Sequence, residues 1–365
     1  MMGTTARNLK PAQRAPLLLL AFVALFVGTG AGLARLAWPM PELAIGAAAQ
    51  HGPLMISGFF GVVIALERAV AIGRAWAYLA PLATGLGTLF GLSGAGAPAA
   101  WLGVAGAALL LAASLQMWRR QPALFTLTMA LGAAAWLAGA LSWAAGAAVY
   151  QVLPWWLAFL VLTIAGERLE LSRLLPPSRL AVASFAAILL AIVAGLGTQQ
   201  WGSGQILFPA ALLALALWLV KQDVARRTVR GRGLARFIAV CLLSGYAWLA
   251  IGAATALLAG GLTPGSPAYD AALHAILLGF VFSMVFGHAP IIFPAVLRVQ
   301  VPYHPGFYAP LALLQGSLVI RLAGDASANF TWVRAGGALN ALALLSFVLG
   351  TAAAVLSARR RLAAC

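Results

Sequence analysis

About twelve runs of roughly twenty apolar residues follow one another along this chain with little between them, and that pattern leaves few folds open to it. A hydrocarbon bilayer core is crossed by about 20 residues of helix. The runs lie near residues 16–35, 44–73, 78–97, 99–117, 123–145, 149–169, 180–199, 205–220, 236–259, 270–297, 307–322 and 332–357. No stretch alternates as strands do, and the longest polar segment, Lys221 to Arg236, is too short for a soluble domain. Hydrophobic residues make up 63% of the chain and charged residues 8%, against about 25% charged in soluble domains. With 23 Lys+Arg and 7 Asp+Glu, a water-soluble globule of this length could not cover its surface. The expectation is an all-α integral membrane protein of about 12 transmembrane helices, a single polytopic domain over residues 1–365, and soluble enzyme classes are excluded. Met1 to Ala15 leads into the apolar run from Leu17 without a small-residue cleavage site, so the first run reads as an uncleaved span. Cys241 and Cys365 are the two cysteines, which rules out a disulfide framework, a thiolate zinc site and a CxxCH haem attachment.

The net charge of +16 looks like a nucleic-acid signal until its distribution is read. Cytoplasmic loops keep Lys and Arg. With the N-terminus inside, the inner loops and ends carry Arg7, Lys10, Arg14, Arg74, Arg119, Arg120, Arg173, Arg179, Lys221, Arg226, Arg227, Arg230, Arg232, Arg236, Arg298, Arg359, Arg360 and Arg361, and the outer side keeps Arg35, Arg321 and Arg334. An even number of spans with both termini cytoplasmic fits every loop. The basic excess is a topology signal, and no aromatic-interleaved basic domain points to nucleic acid. Lys221–Arg236 reads as a solvated loop or as a contact for anionic lipid headgroups.

Three spans echo one another. Gly58-Phe59 precedes Glu67-Arg68, Ala158-Phe159 precedes Glu167-Arg168, and Gly279-Phe280 precedes His288, each at nine residues from the first small residue. A polar group recurring in spans 2, 6 and 10 suggests three four-helix units, 16–117, 123–220 and 236–357, with pseudo-threefold symmetry.

The four histidines are His51, His274, His288 and His304. His51 and His274 fall at the same end of spans 2 and 10. Two imidazoles on opposed helices are a usual way to hold a haem iron from both sides; the alternative for each is an interfacial histidine bonded to a carbonyl or water. Ionisable groups inside spans are costly and are usually functional. Small neighbours (Gly52, Ser57, Gly58, Ala275, Gly279) leave room for a flat macrocycle. His288, 14 residues on from His274 and so roughly 21 Å away along an α-helix, cannot share that iron. With Glu67 and Glu167 it could form an inner polar cluster for proton uptake or a metal, or the three could make ordinary bonds and ion pairs with Arg68, Arg168 or Arg74. Pro290 and Pro294 should kink the end of span 10. His304 reads as loop. Met55 shares a face with His51 and could pack on a cofactor or simply in the core. Arg321 and Arg334 are the arginines placed to neutralise haem propionates. Four histidines cannot supply the six ligands of a haem–copper oxidase, so oxygen reduction at such a centre is not expected.

The run His51-Gly-Pro-Leu-Met55-Ile-Ser-Gly58-Phe59 resembles the H-x-x-x-M-x-x-G-F opening of a span in the NnrS family, and His274-Ala275 through Gly279 is similar to that family's H-A-L-x-x-G segment. Arg298, His304-Pro305-Gly306 and Arg321 resemble its R…GHTGR…R tail, with Tyr303 and Pro305 replacing the family's glycine and threonine. The resemblance, specific over about a tenth of the chain, implies a bacterial inner-membrane protein with haem b, a second metal in copper, and a link to nitric oxide. It implies His51 and His274 as haem ligands, and Met55, Arg298 and His304 as family-type positions. More remotely it implies the haem–copper oxidase architecture.

The readings are therefore a haem protein that senses or binds nitric oxide or another diatomic gas, or passes electrons to a redox partner; a proton-coupled small-solute transporter using Glu67, Glu167, Glu170 and His288; and a non-catalytic membrane assembly factor. No nucleotide motif, nucleophile–base constellation or hydrolytic carboxylate pair stands out.

Overall fold

The computed structural model describes residues 8–171 and 178–363, and Arg7, Arg173 and Cys365 lie outside the described residues. Among the described residues the chain is helical, without strands, and 12 helices are long and apolar enough to cross a membrane. They are α1 (Pro11–Arg35), α2 (Ala48–Ile72), α3 (Ala75–Leu92), α4 (Gly96–Arg120), α5 (Leu124–Ala144), α6 (Val149–Leu171), α7 (Arg179–Gly197), α8 (Ser203–Gln222), α9 (Gly233–Leu258), α10 (Pro267–Leu297), α11 (Pro305–Ala326) and α12 (Phe330–Arg360). Each expected apolar run is occupied by one helix. The second starts later than the sequence suggests because Glu42–Gly46 forms a separate short helix before it. Residues such as Leu190, 70% exposed, and Leu180, 79% exposed, project outward from α7, as lipid-facing side chains do where backbone groups must be satisfied within the helix.

The chain divides into two compact units, residues 1–166 with 292–299, and residues 167–291 with 300–365. The junction at Gly166 falls inside α6, within the expected repeat 123–220. In the first unit, α1 to α5 pack as sequence neighbours, and Trp136 of α5 stacks on Phe159 of α6 at 4.8 Å. The end of α10 belongs to this unit. Arg14 is 3% exposed; its Nε donates to Leu9 O at 2.8 Å and its Nη1 to Val296 O at 2.8 Å. It thereby satisfies a carbonyl that the helix end leaves over, a structural duty beyond the topological one read from its charge. α10 stays helical through Pro290 and Pro294 to Leu297 and stops at Arg298, whose φ is 53°.

In the second unit, small residues bring α9 and α10 together. A Cβ on Gly252 would lie 2.8 Å from Ala272 O, and one on Gly279 would lie 2.4 Å from Trp248 Cγ. Such close backbone approach is the main source of helix association in lipid, where apolar burial gains nothing. Gln315 of α11 ties the three helices, accepting from Trp248 Nε1 and donating to Ser283 Oγ at 3.1 Å.

Two helices contain a π-helical stretch. In α2, Leu54–Gly61 is π-helical; in α10, Ala275–Phe282 is. Both stretches have 8 residues; the second begins directly after His274 and the first three residues after His51. Gly58-Phe59 and Gly279-Phe280 occupy their fifth and sixth positions. The sequence echo between spans 2 and 10 thus has a backbone counterpart. Span 6 does not share it, since Val149–Leu171 is α-helical throughout.

Gly252→Ala is expected to destabilise the protein by about 1–3 kcal/mol through overpacking. Gly316→Ala, in α11 with nothing within 4 Å of the new Cβ, should be neutral or stabilising by up to about 1 kcal/mol. Melting of both in detergent checks this; equal effects would contradict the close-packing account.

Candidate functional site

His51 sits at the N-terminal end of α2, against a glycine face of α1. Its Nδ1 lies 2.7 Å from Gly28 O. A carbonyl only accepts, so Nδ1 carries the proton and Nε2 the lone pair. Gly32, one turn from Gly28, gives the ring its seat, because a Cβ there would lie 2.8 Å from Cε1 and 2.9 Å from Nδ1. Met55 packs on the same face: its Sδ would be 2.9 Å from a Cβ on Gly28. The expectation that His51 and Met55 share a face is met, with Met55 in core packing. Beyond the next turn of α2 lies a cavity of about 40 Å³, lined by Gln50, Leu54, Ser57, Thr88, Gly91 and Trp156. A water needs at least roughly 10–15 Å³ on this measure, so the cavity suits a very small molecule.

His274 ends the first α-helical stretch of α10. Its Nδ1 lies 2.8 Å from Asp270 O and 3.2 Å from Asp270 Oδ1. The same carboxylate accepts two bonds from Arg321, at 2.8 Å from Nε and 2.9 Å from Nη2. This bidentate pair is the strong kind of charge-assisted contact. The Arg321 side chain is only 7% exposed, and its backbone is pressed by α12, since a Cβ on Gly336 would meet Arg321 N at 2.7 Å. Asp325, one turn along α11, is 9% exposed and faces the same carboxylate. Carboxylate, imidazole and arginine form a chain that orients the His274 ring, as outer-shell carboxylates do for metal-ligating histidines. Arg321 therefore stands beside the His274 support, as the sequence suggested, with its Nε–Nη2 edge engaged by Asp270. Arg334 is half-buried near the start of α12.

The remaining sequence candidates are distributed over both units. Glu67 belongs to the first unit, beside Arg68, whose guanidinium donates to Met129 Sδ at 2.8 Å and Met117 Sδ at 3.3 Å. Glu167 and His288 belong to the second unit. Around His288 the structure gathers Arg168 and Asp223, and Asp223 accepts from Tyr246 at 2.5 Å. His304 is a loop residue whose Nδ1 accepts from Gly306 N at 3.0 Å, and Arg298 serves to end α10. Among the described residues no three His, Cys, Asp or Glu side chains gather as a metal-binding group; a haem held by two imidazoles needs no such group.

Sequence reasoning missed Asp270, Asp223 and Tyr246. Asp270 was findable: it precedes His274 by four residues, the spacing that puts two side chains on one helix face. The Asp223–Tyr246 contact joins residues on different helices and leaves no such mark.

Residues 14–356 match the family described as Domain of unknown function (DUF8744), and the chain belongs to that family. No curated protein and no solved structure matches it.

Arg321→Met, which strips the half-buried Asp270 carboxylate of its bidentate partner, should lower stability by about 2 kcal/mol, and Asp270→Asn in the same background should recover part of the loss. A double-mutant cycle followed by denaturant melting in detergent measures the coupling, and strictly additive effects would contradict it.

Proposed function

We propose that this member of the family is a haem-binding protein of the bacterial inner membrane, with both termini cytoplasmic, in which His51 and His274 would hold haem b. The observation that carries the reading is the state of the two rings. Each has Nδ1 on a backbone carbonyl, Gly28 O at 2.7 Å and Asp270 O at 2.8 Å. In the neutral ring this leaves Nε2 as the basic nitrogen, the tautomer in which imidazole binds a metal through that atom. Each also precedes a π-helical stretch, His274 directly and His51 by three residues, and this backbone form is rare and concentrates at functional sites. The arginine distribution supports the orientation.

Haem b supplies one-electron chemistry at its iron. The chain's part is to orient the rings. His274 has a carboxylate behind it that is itself clamped by Arg321, which fixes the ring's aim. His51 is positioned by Gly28 O and the glycine seat at Gly32. Two imidazole ligands suit electron transfer to a redox partner. A role in the response to nitric oxide or another nitrogen oxide requires one ring to give way. Copper enters this reading only through the family resemblance.

The test is the visible spectrum of the purified protein, oxidised and reduced. Low-spin haem b bands are expected, lost in His51→Ala and His274→Ala. In Gly32→Ala, whose Cβ crowds the His51 ring, they should be shifted or weakened. A colourless preparation from haem-replete cells would overturn the proposal and favour the proton-coupled transporter.

A further inference from the structure

The second unit contains a buried polar group that the haem reading leaves unused. His288 has Nδ1 2.6 Å from Met284 O, so its proton is on Nδ1 and its lone pair on Nε2. That Nε2 is buried, with no hydrogen-bond partner among the described residues, and the same holds for Nε of Arg168. The Arg168 residue is 7% exposed. The charges of Arg168 and Asp223 both act on His288 and on Tyr246. Tyr246, 0% exposed, donates to Asp223 Oδ2 at 2.5 Å. Asp223 is half-buried at the end of α8, where Lys221–Arg236 begins, and its Oδ1 accepts from Ala225 N at 2.8 Å. Cys241 of α9, against Gly287, is a further titratable neighbour.

Two orphaned atoms of opposite kind define what fits between them. The imidazole nitrogen needs a donor and the guanidinium N–H needs an acceptor. A metal cation would satisfy the first and be repelled by Arg168. An anion would satisfy the second and face a lone pair. An apolar gas would satisfy neither. Water does both, and buried waters commonly serve otherwise unsatisfied polar groups in this way.

We infer that Asp223, Tyr246 and His288 form a proton path into the second unit, hydrated where Arg168 and His288 face it. A proton taken from solvent by the Asp223 carboxylate passes to the Tyr246 oxygen as that hydroxyl releases its own proton to water. The water then gives up a proton to His288 Nε2, leaving an imidazolium. One O–H bond breaks for each bond formed, no electron moves, and return follows the same atoms. Arg168 is a positioning residue: it holds the water. The path does not depend on haem.

The test uses the full chain with 15N-labelled histidine in lipid bilayers, read by solid-state NMR. His288→Asn assigns the ring among the four histidines. The expected result is an unprotonated Nε2 in contact with water protons, and proton exchange at Nε2 with solvent, read from its 15N signal as the sample is acidified, that slows by about tenfold in Tyr246→Phe and in Asp223→Asn. Should Tyr246→Phe fail to fold, Asp223→Asn decides alone. An Nε2 without water contact, or exchange unchanged in the folded variants, would overturn the path.

Discussion

In hydrocarbon no water stands ready to take up a backbone N–H or C=O, so every peptide group must find its partner inside the protein. Helices do this locally, and polar side chains in these spans fall in with them. Thr128 returns its hydroxyl to Leu124 O at 2.7 Å, and Thr163 returns its own to Phe159 O at 2.7 Å. Arg14 covers carbonyls at the end of α10. Against so uniform a ladder, two π-helical stretches of 8 residues stand out. A π turn inserts residues without leaving backbone groups open, and it rotates whatever follows relative to whatever precedes. The histidine before each stretch and the polar group toward the far end of each helix are thereby set on faces that a uniform 3.6-residue period would not give them.

The two histidines share one device. Both give Nδ1 to a carbonyl, which costs nothing in the ladder because each carbonyl has two lone pairs. His274 also meets a carboxylate, and that carboxylate is kept in place by a nearly buried arginine that α12 presses into position. Burying an ion pair is expensive and is weak evidence for stability. Its retention beside His274 is better explained by the fixed orientation it confers on the ring. His51 obtains its orientation from shape, through the missing side chains at Gly28 and Gly32.

The membrane fold was legible in the sequence because it rests on length and polarity alone, and the twelve spans were found on those terms. Some of the local chemistry was legible too: His304 as a loop residue, and Met55 on the His51 face. What could not be read depends on contacts between helices. Gly28 and Gly32 look like two of 39 glycines until His51 is laid on them. Asp270 reads as the polar cap of a helix until Arg321 arrives from another. Arg168 and Asp223, which act on His288, and the Asp223 bond to Tyr246 also depend on such contacts. The π-helical stretches also left no sign, since periodicity analysis presupposes the turn it looks for.

The central claim is that Nε2 of both His51 and His274 binds one metal. Pulsed electron paramagnetic resonance of the oxidised protein, with histidine labelled by 15N at Nε2 alone, reads this directly. The account predicts a low-spin ferric haem whose unpaired electron couples to two labelled nitrogens, with one coupling lost in each histidine variant. A high-spin centre, coupling to a single imidazole, or coupling that requires label at Nδ1 would contradict it.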